Sequence, residues 1–188
     1  MDWTDELIQL SRWALQNEDS RHRYIYSKSA SELNVTPGIS NCLETSAVLS
    51  IFEACLGKGY ILDKTIAREK PFPDYNGSFS HKRADLAFRK VGKGQNWAYV
   101  EVKKYGNRGG KSAIEKDITK LRSIRGKCQR WLLVYRIRTN SGSTELQQLL
   151  KKNFIDELDF NTLRQANFQT VTKKGFDSVC EIALCRIK

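Results

Sequence analysis

The sequence predicts an α/β or α+β fold, a central mixed β-sheet flanked by helices. Strand-like runs alternate with helical periodicities along the chain, and Trp131 to Ile137 is almost wholly apolar, as a strand covered on both faces must be. A Gly-rich stretch, Val91-Gly92-Lys93-Gly94-Gln95, separates two further strand-like runs in the manner of a hairpin. A chain of 188 residues can bury roughly 70% of its unfolded surface in one core and is too short for two ordinary domains, so 1–188 reads as one domain.

Trp3, Leu7, Leu10 and Ala14 recur at helical spacing and predict an amphipathic helix over 3–16, followed by a basic, Ser-rich connector from Arg21 to about Gly38. A second helix is expected from Ser40 or Asn41 to about Leu56, ended by Gly57 and Gly59. Tyr60 to Lys70 reads as a strand stopped by Pro71 and Pro73, and Arg83–Lys90 and Asn96–Lys103 as the hairpin strands. A Gly-rich loop from Gly106 to Gly110 leads into a helix whose Ser112 and Glu115 fit a capping box and whose Ile114, Ile118 and Leu121 share a face. Then come a helix bearing Leu146, Leu149 and Leu150, an irregular stretch to about Asn167, and a closing hairpin of Phe168–Thr172 with Phe176–Ile187.

Charge narrows the class of partner. Lys and Arg number 32 against 21 Asp and Glu, a net charge of +11, which favours a polyanion. No run approaches ~18 apolar residues, and the N-terminus lacks the positive-then-apolar pattern of a signal, so no membrane partner is expected and the cytoplasm is the expected compartment. The five cysteines are odd in number and contain no C-x-x-C pair, so they suggest neither a disulfide framework nor a zinc ribbon. Cys180 and Cys185 should point to opposite faces of one strand. His22 and His81 lack ligand-like spacing and are assigned surface or loop roles.

A hairpin centred on Lys93 places Asp85 across from Glu101 and Ala87 across from Tyr99. Opposed carboxylates about 5 Å apart repel, and a hard cation held by one or two carboxylates with water relieves them. The period of two puts Lys103 on the face of Glu101, with Val100 and Val102 turned to the core. For phosphodiester hydrolysis a metal polarises the phosphoryl group and acidifies a water, while an ammonium stabilises developing charge. An E-x-K triplet arises about once by chance in a chain of this size, so a solvated strand face is the competing reading. Glu44 falls near the middle of the apolar face formed by Leu43, Ala47, Ile51, Ala54 and Cys55, with Glu53 opposite. It is either a further metal-supporting acid or, with Asn41, a capping-box residue.

Glu44 on an early helix, Asp85, and Glu101-Val102-Lys103 on a hairpin, followed by a helix and an apolar strand, resemble the PD-(D/E)XK, or restriction-endonuclease-like, nuclease superfamily over about Ser40 to Ile137. The resemblance implies a restriction-endonuclease-like core at about 40–137. It implies Asp85 and Glu101 as metal ligands, the backbone carbonyl of Val102 as another, Lys103 assisting the attacking water, and Glu44 as the helix acid. Ala84 stands where the superfamily's name puts Pro. The expected function is a Mg²⁺-dependent (or Mn²⁺-dependent) endonuclease acting on DNA, double-stranded by the superfamily's habits, and a homodimer if it cuts both strands. Lys104, Arg108 and Lys111 are expected phosphate contacts. Structure-specific or RNA-directed cleavage stays open, as does an inactive nucleic-acid-binding module. A P-loop reading of Gly106–Ser112 fails, because Tyr105 stands where the first glycine is needed.

Overall fold

The computed structural model describes residues 2–27, 39, 42–73, 79–89, 97–106, 110–139, 144–171 and 177–188. The expected turns at 91–95 and 173–175, and Arg108 and His81's side chain, lie outside the described residues. Helix α1 spans Trp3–Ser27, α2 Glu44–Gly57, α3 Gly110–Arg122 and α4 Leu146–Phe154. The strands are β1 (Ile66–Pro73), β2 (Phe79–Phe88), β3 (Ala98–Lys104), β4 (Gln129–Thr139), β5 (Leu158–Val171) and β6 (Asp177–Ile187). They form one six-stranded sheet in the order β1-β2-β3-β4-β6-β5. Among the described residues β3 and β4 pair in parallel and the other neighbouring strands antiparallel, so the sheet is mixed and the fold α+β.

A parallel pair needs a long crossover, and α3 supplies it between β3 and β4. Two apolar layers result. On one face Leu7, Leu15, Ile51 and Cys55 of α1 and α2 pack on Leu86, Val100, Val102, Leu133 and Leu184. On the other, Ile114, Ile118 and Leu121 of α3 and Leu146, Leu150 and Phe154 of α4 pack on Ala87, Tyr99, Leu132 and Val134. With both faces covered, β4 reads as the continuous apolar run Trp131–Tyr135, as expected. Cys180 lies in the first layer and Cys185 in the second, as their spacing predicts. Trp3 stacks on Phe88 (centroids 5.6 Å apart) and meets Trp131 edge-on (5.4 Å), fastening the start of α1 to the sheet.

Several expectations about element bounds need correction. Helix α1 runs eleven residues beyond 16, because its later polar residues point inward: Asp19 accepts from Ile39 N (2.8 Å) and Thr170 Oγ1 (2.6 Å), and Glu18 accepts from Ser50 Oγ (2.8 Å). Hydrophobic periodicity cannot register a helix anchored by buried acids. Strand β1 begins at Ile66 rather than Tyr60, the residues before it forming turns, and does not stop at Pro71 but continues to Pro73, which an edge strand tolerates, since its outer N–H groups need no partner in the sheet. The stretch before Asn167 is not irregular but is most of β5, the opposite edge, whose outward polar residues hide the alternation. Finally, α3 begins at Gly110, two residues before Ser112, so Ser112 is not its N-cap.

Candidate active site

Strands β2 and β3 pair with Ala87 opposite Tyr99, the expected register. The ladder runs from Phe88↔Ala98 to Leu86↔Val100 and ends there. At the next residue the Asp85 side chain takes over: its Oδ2 accepts from the backbone N–H of Val102 at 2.8 Å. On the other flank of β2 the ladder skips Glu69, which has φ 52° and sits between the pairs Arg68↔Leu86 and Lys70↔Ala84. A left-handed non-glycine residue costs of order 1–3 kcal/mol and is held there by its surroundings. Asp85 therefore stands where regular pairing is interrupted on both sides.

Glu101, only 3% exposed, lies on the sheet face covered by α3. Lys120 of that helix places Nζ 2.7 Å from Oε1 and donates to Oε2 at 2.8 Å. Oε1 is close to Lys120 but off hydrogen-bond geometry, so it is a buried oxygen with no hydrogen bond among the described residues. Burial first, and the charge of Asp85 second, push the Glu101 carboxyl up to about 8, against the pull of Lys120. Burial also raises the Asp85 carboxyl, opposed by the Val102 N–H and Lys120.

A carboxyl raised from 4.5 to about 8 binds its proton more tightly in the folded chain than in the unfolded one. Its contribution to stability is complete below the unfolded value and is lost as pH rises to about 8. The urea midpoint of metal-free protein should therefore fall between about pH 5 and 8, and Glu101→Gln should flatten the slope. A midpoint that rises over that window in the parent would remove the electrostatic account of Glu101.

Lys103 Nζ lies 2.7 Å from Glu44 Oε1 and 3.2 Å from Asp117 Oδ2 of α3. Burial disfavours its charge, but the two carboxylates outweigh burial and hold its pKa above the ordinary lysine value. Asp117 is raised by burial and opposed by Lys103, and its Oδ2, like Glu101 Oε1, is buried without a hydrogen bond of good geometry among the described residues.

Glu44 is the first residue of α2 rather than the middle of its buried face, because the helix starts after Leu43 and not at Ser40 or Asn41. The N-cap is Leu43, with no side-chain capping bond. The carboxylate is instead turned to the end of β3, accepting from Lys103 Nζ and from the backbone N–H of Lys104 at 3.2 Å. Glu44→Gln keeps the shape but only one of the two acceptor oxygens and removes the charge, so, if the site cleaves phosphodiesters as the resemblance implies, the variant should stay folded while cleavage falls about tenfold or more, on the order of 1.4 kcal/mol. Glu53→Gln, on the exposed side of α2, is the matched control. Equal cleavage by both variants would leave Glu44 a purely structural anchor.

The structure thus gathers Glu44, Asp85, Glu101 and Lys103 with two residues that sequence reading missed as site members, Asp117 and Lys120. The signal for Asp117 was present: it follows Ile114 by three residues and precedes Leu121 by four, which places an acid at the border of a buried stripe. Val102 enters through its N–H, whereas the resemblance implies its carbonyl. Lys104 Nζ donates to the carbonyl of Cys42 at 3.4 Å, and the charge of Glu44 also acts on it. Lys111 is more than half exposed and lines an open cavity of about 660 Å³ with Tyr105, Gly106, Ser112 and Arg136. No family model, curated protein or solved structure matches the chain. No helix among the described residues is long and apolar enough to cross a membrane.

Proposed function

We propose that the chain is a divalent-metal-dependent nuclease that hydrolyses DNA, with Asp85 and Glu101 as the principal metal-holding groups and Lys103 beside them. One observation carries the reading. Among the described residues the carboxyl groups of Glu44, Asp85, Glu101 and Asp117 gather around the ammoniums of Lys103 and Lys120, and with Glu101 ionised they carry more negative charge than those two ammoniums balance, the complement of a divalent cation that displaces the Glu101 proton. The buried oxygens of Glu101 and Asp117 that lack hydrogen bonds fit the same group. An all-oxygen donor set suits Mg²⁺, or Mn²⁺ in its place.

Such an ion, when bound, would polarise a phosphoryl oxygen and acidify a water. The chain's own contribution is orientation and charge. The Val102 N–H fixes the rotamer of Asp85, and Glu44 and Asp117 grip the Lys103 ammonium from two elements. Held charged, that ammonium can donate to a non-bridging phosphate oxygen as negative charge develops. The net charge of +11 supports a polyanionic substrate, and duplex DNA is the substrate proposed. A homodimer belongs to the proposal if both strands are cut together.

A second reading, an inactive nucleic-acid-binding module, draws on the Lys120–Glu101 ion pair, in which an ammonium meets Glu101 without a metal ion. Purified protein incubated with plasmid, linear, branched and single-stranded DNA and with RNA, in Mg²⁺ or in chelator, separates the two. Mg²⁺-dependent cleavage of DNA supports the nuclease; binding without cleavage of any substrate supports the module.

A further inference from the structure

A second group of potential ligands lies where α1 meets the chain entering α2. The ligating atoms of Glu18, His22 and Cys42 all lie within 4.8 Å of one another. Glu18 and His22 are one helical turn apart on the inner side of α1, with side chains 9% and 15% exposed, and Cys42 is 2% exposed. The two oxygens of Glu18 are used unequally. Oε1 accepts from Ser50 Oγ at 2.8 Å and from the largely exposed Arg21 guanidinium at 3.4 Å, whereas Oε2 is buried with no hydrogen-bond partner among the described residues and lies 3.5 Å from His22 Nε2. An unpartnered buried carboxylate oxygen is costly unless something positive meets it. Ser50 fixes the carboxylate and leaves Oε2 directed to the imidazole and thiol side, as outer hydrogen bonds do for metal ligands.

We propose that Glu18, His22 and Cys42 form a binding site for Zn²⁺ or a similar borderline-soft transition metal, separate from the carboxylate–lysine cluster. The donor chemistry distinguishes the two sites: sulfur and imidazole select zinc-like ions, and the all-oxygen cluster selects hard ones. Beside a neutral imidazole, a thiolate and a carboxylate supply two negative charges for one divalent ion, the thiol proton going to solvent on binding; the Arg21 guanidinium, on the other oxygen of Glu18, is largely exposed and screened by water. Three protein ligands leave a fourth tetrahedral position for water.

The location gives the site a role. Cys42 immediately precedes Leu43, the N-cap of α2, and its carbonyl accepts from Lys104 Nζ. A metal there ties the later part of α1 to the start of the helix that presents Glu44 to Lys103. The site is thus a fastener for α2 whether or not the carboxylate cluster cleaves DNA.

Cobalt is the probe, because thiolate ligation to Co²⁺ gives a near-ultraviolet charge-transfer absorption that carboxylate ligation does not. Metal-free full-length protein titrated with Co²⁺ should develop this band, saturating at one equivalent, displaced by Zn²⁺ and unaffected by excess Mg²⁺. Cys42→Ser should abolish it, and His22→Gln should weaken Co²⁺ binding at least tenfold, since even outer-shell changes cost 10–100-fold. Zn²⁺ should raise the Tm of the parent but not of His22→Gln, a near-isosteric variant that keeps the thiol. A missing band overturns the site, and so does a band that survives in Cys42→Ser or Zn²⁺ stabilisation that survives in His22→Gln.

Discussion

Asp85→Ala and Glu101→Ala are each expected to lower Mg²⁺-dependent cleavage by about a thousandfold or more, about 4 kcal/mol in the barrier, while DNA binding persists. The reason lies in what each change leaves behind. Without Asp85 the Val102 N–H loses its acceptor and Glu101 loses the neighbouring charge that helps raise its pKa. Without Glu101 the Lys120 ammonium, about a third exposed, can turn to water. In both variants a source of like-charge repulsion disappears, so the metal-free protein should remain folded. If the chain binds DNA as proposed, the affinity should rest on the basic charge and fall steeply with salt in parent and variants alike. Purified variants assayed beside the parent for nicking and for binding provide the check. Activity within tenfold of the parent in either variant would displace the centre of the site.

Lys103→Met is the other large effect, and it should split two quantities that usually move together. Removing an ammonium aimed at developing charge costs roughly 10²–10³ in rate, the scale seen for a lost oxyanion donor. The same change leaves Glu44 and Asp117 facing each other without their common partner, so the cluster gains one uncompensated negative charge. Mn²⁺ affinity, measured calorimetrically, should therefore rise while cleavage falls. A variant that loses both would show Lys103 acting mainly as a structural tie between α2 and α3. The proton equilibrium matters as well: because the carboxylates hold Lys103 charged beyond the ordinary range, it is unsuited to abstract a proton at neutral pH and suited to donate a hydrogen bond.

Much of this arrangement was legible before any coordinates. The period of two and the Gly-rich turn sufficed for the β2–β3 register and for placing Asp85 near Glu101, because strand alternation is a local property. The apolar run of β4 likewise announced its interior position. What escaped were contacts made by polar residues across elements. Glu18 and Asp19 face inward on α1, but to a hydrophobicity pattern they look like the end of a helix. Glu44 was legible as a site candidate, yet its place at the tip of α2 depends on where the helix starts, a boundary that residues 40 and 41 seemed to set and Leu43 takes. Asp117 and Lys120 are ordinary members of a charged helix until α3 is laid over β3. His22 and Cys42 are 20 residues apart in the chain, so ligand spacing could not link them.

The two borders of the sheet differ in how they would receive another strand. Pro71 and Pro73 on β1 have no N–H to offer, and the strand's register slips between them, so the edge is irregular where a partner strand would pair. At the far border, Arg23 of α1 donates to the carbonyl of Gln169 and Asp5 grips Arg164, so a helix lies along part of β5 and occupies groups that an incoming strand would need. Neither rim is suited to extend the sheet from one molecule into the next. Two copies that assemble on a duplex would therefore meet through helices or loops, and the protein is guarded against stacking into ribbons at the concentrations used to test it.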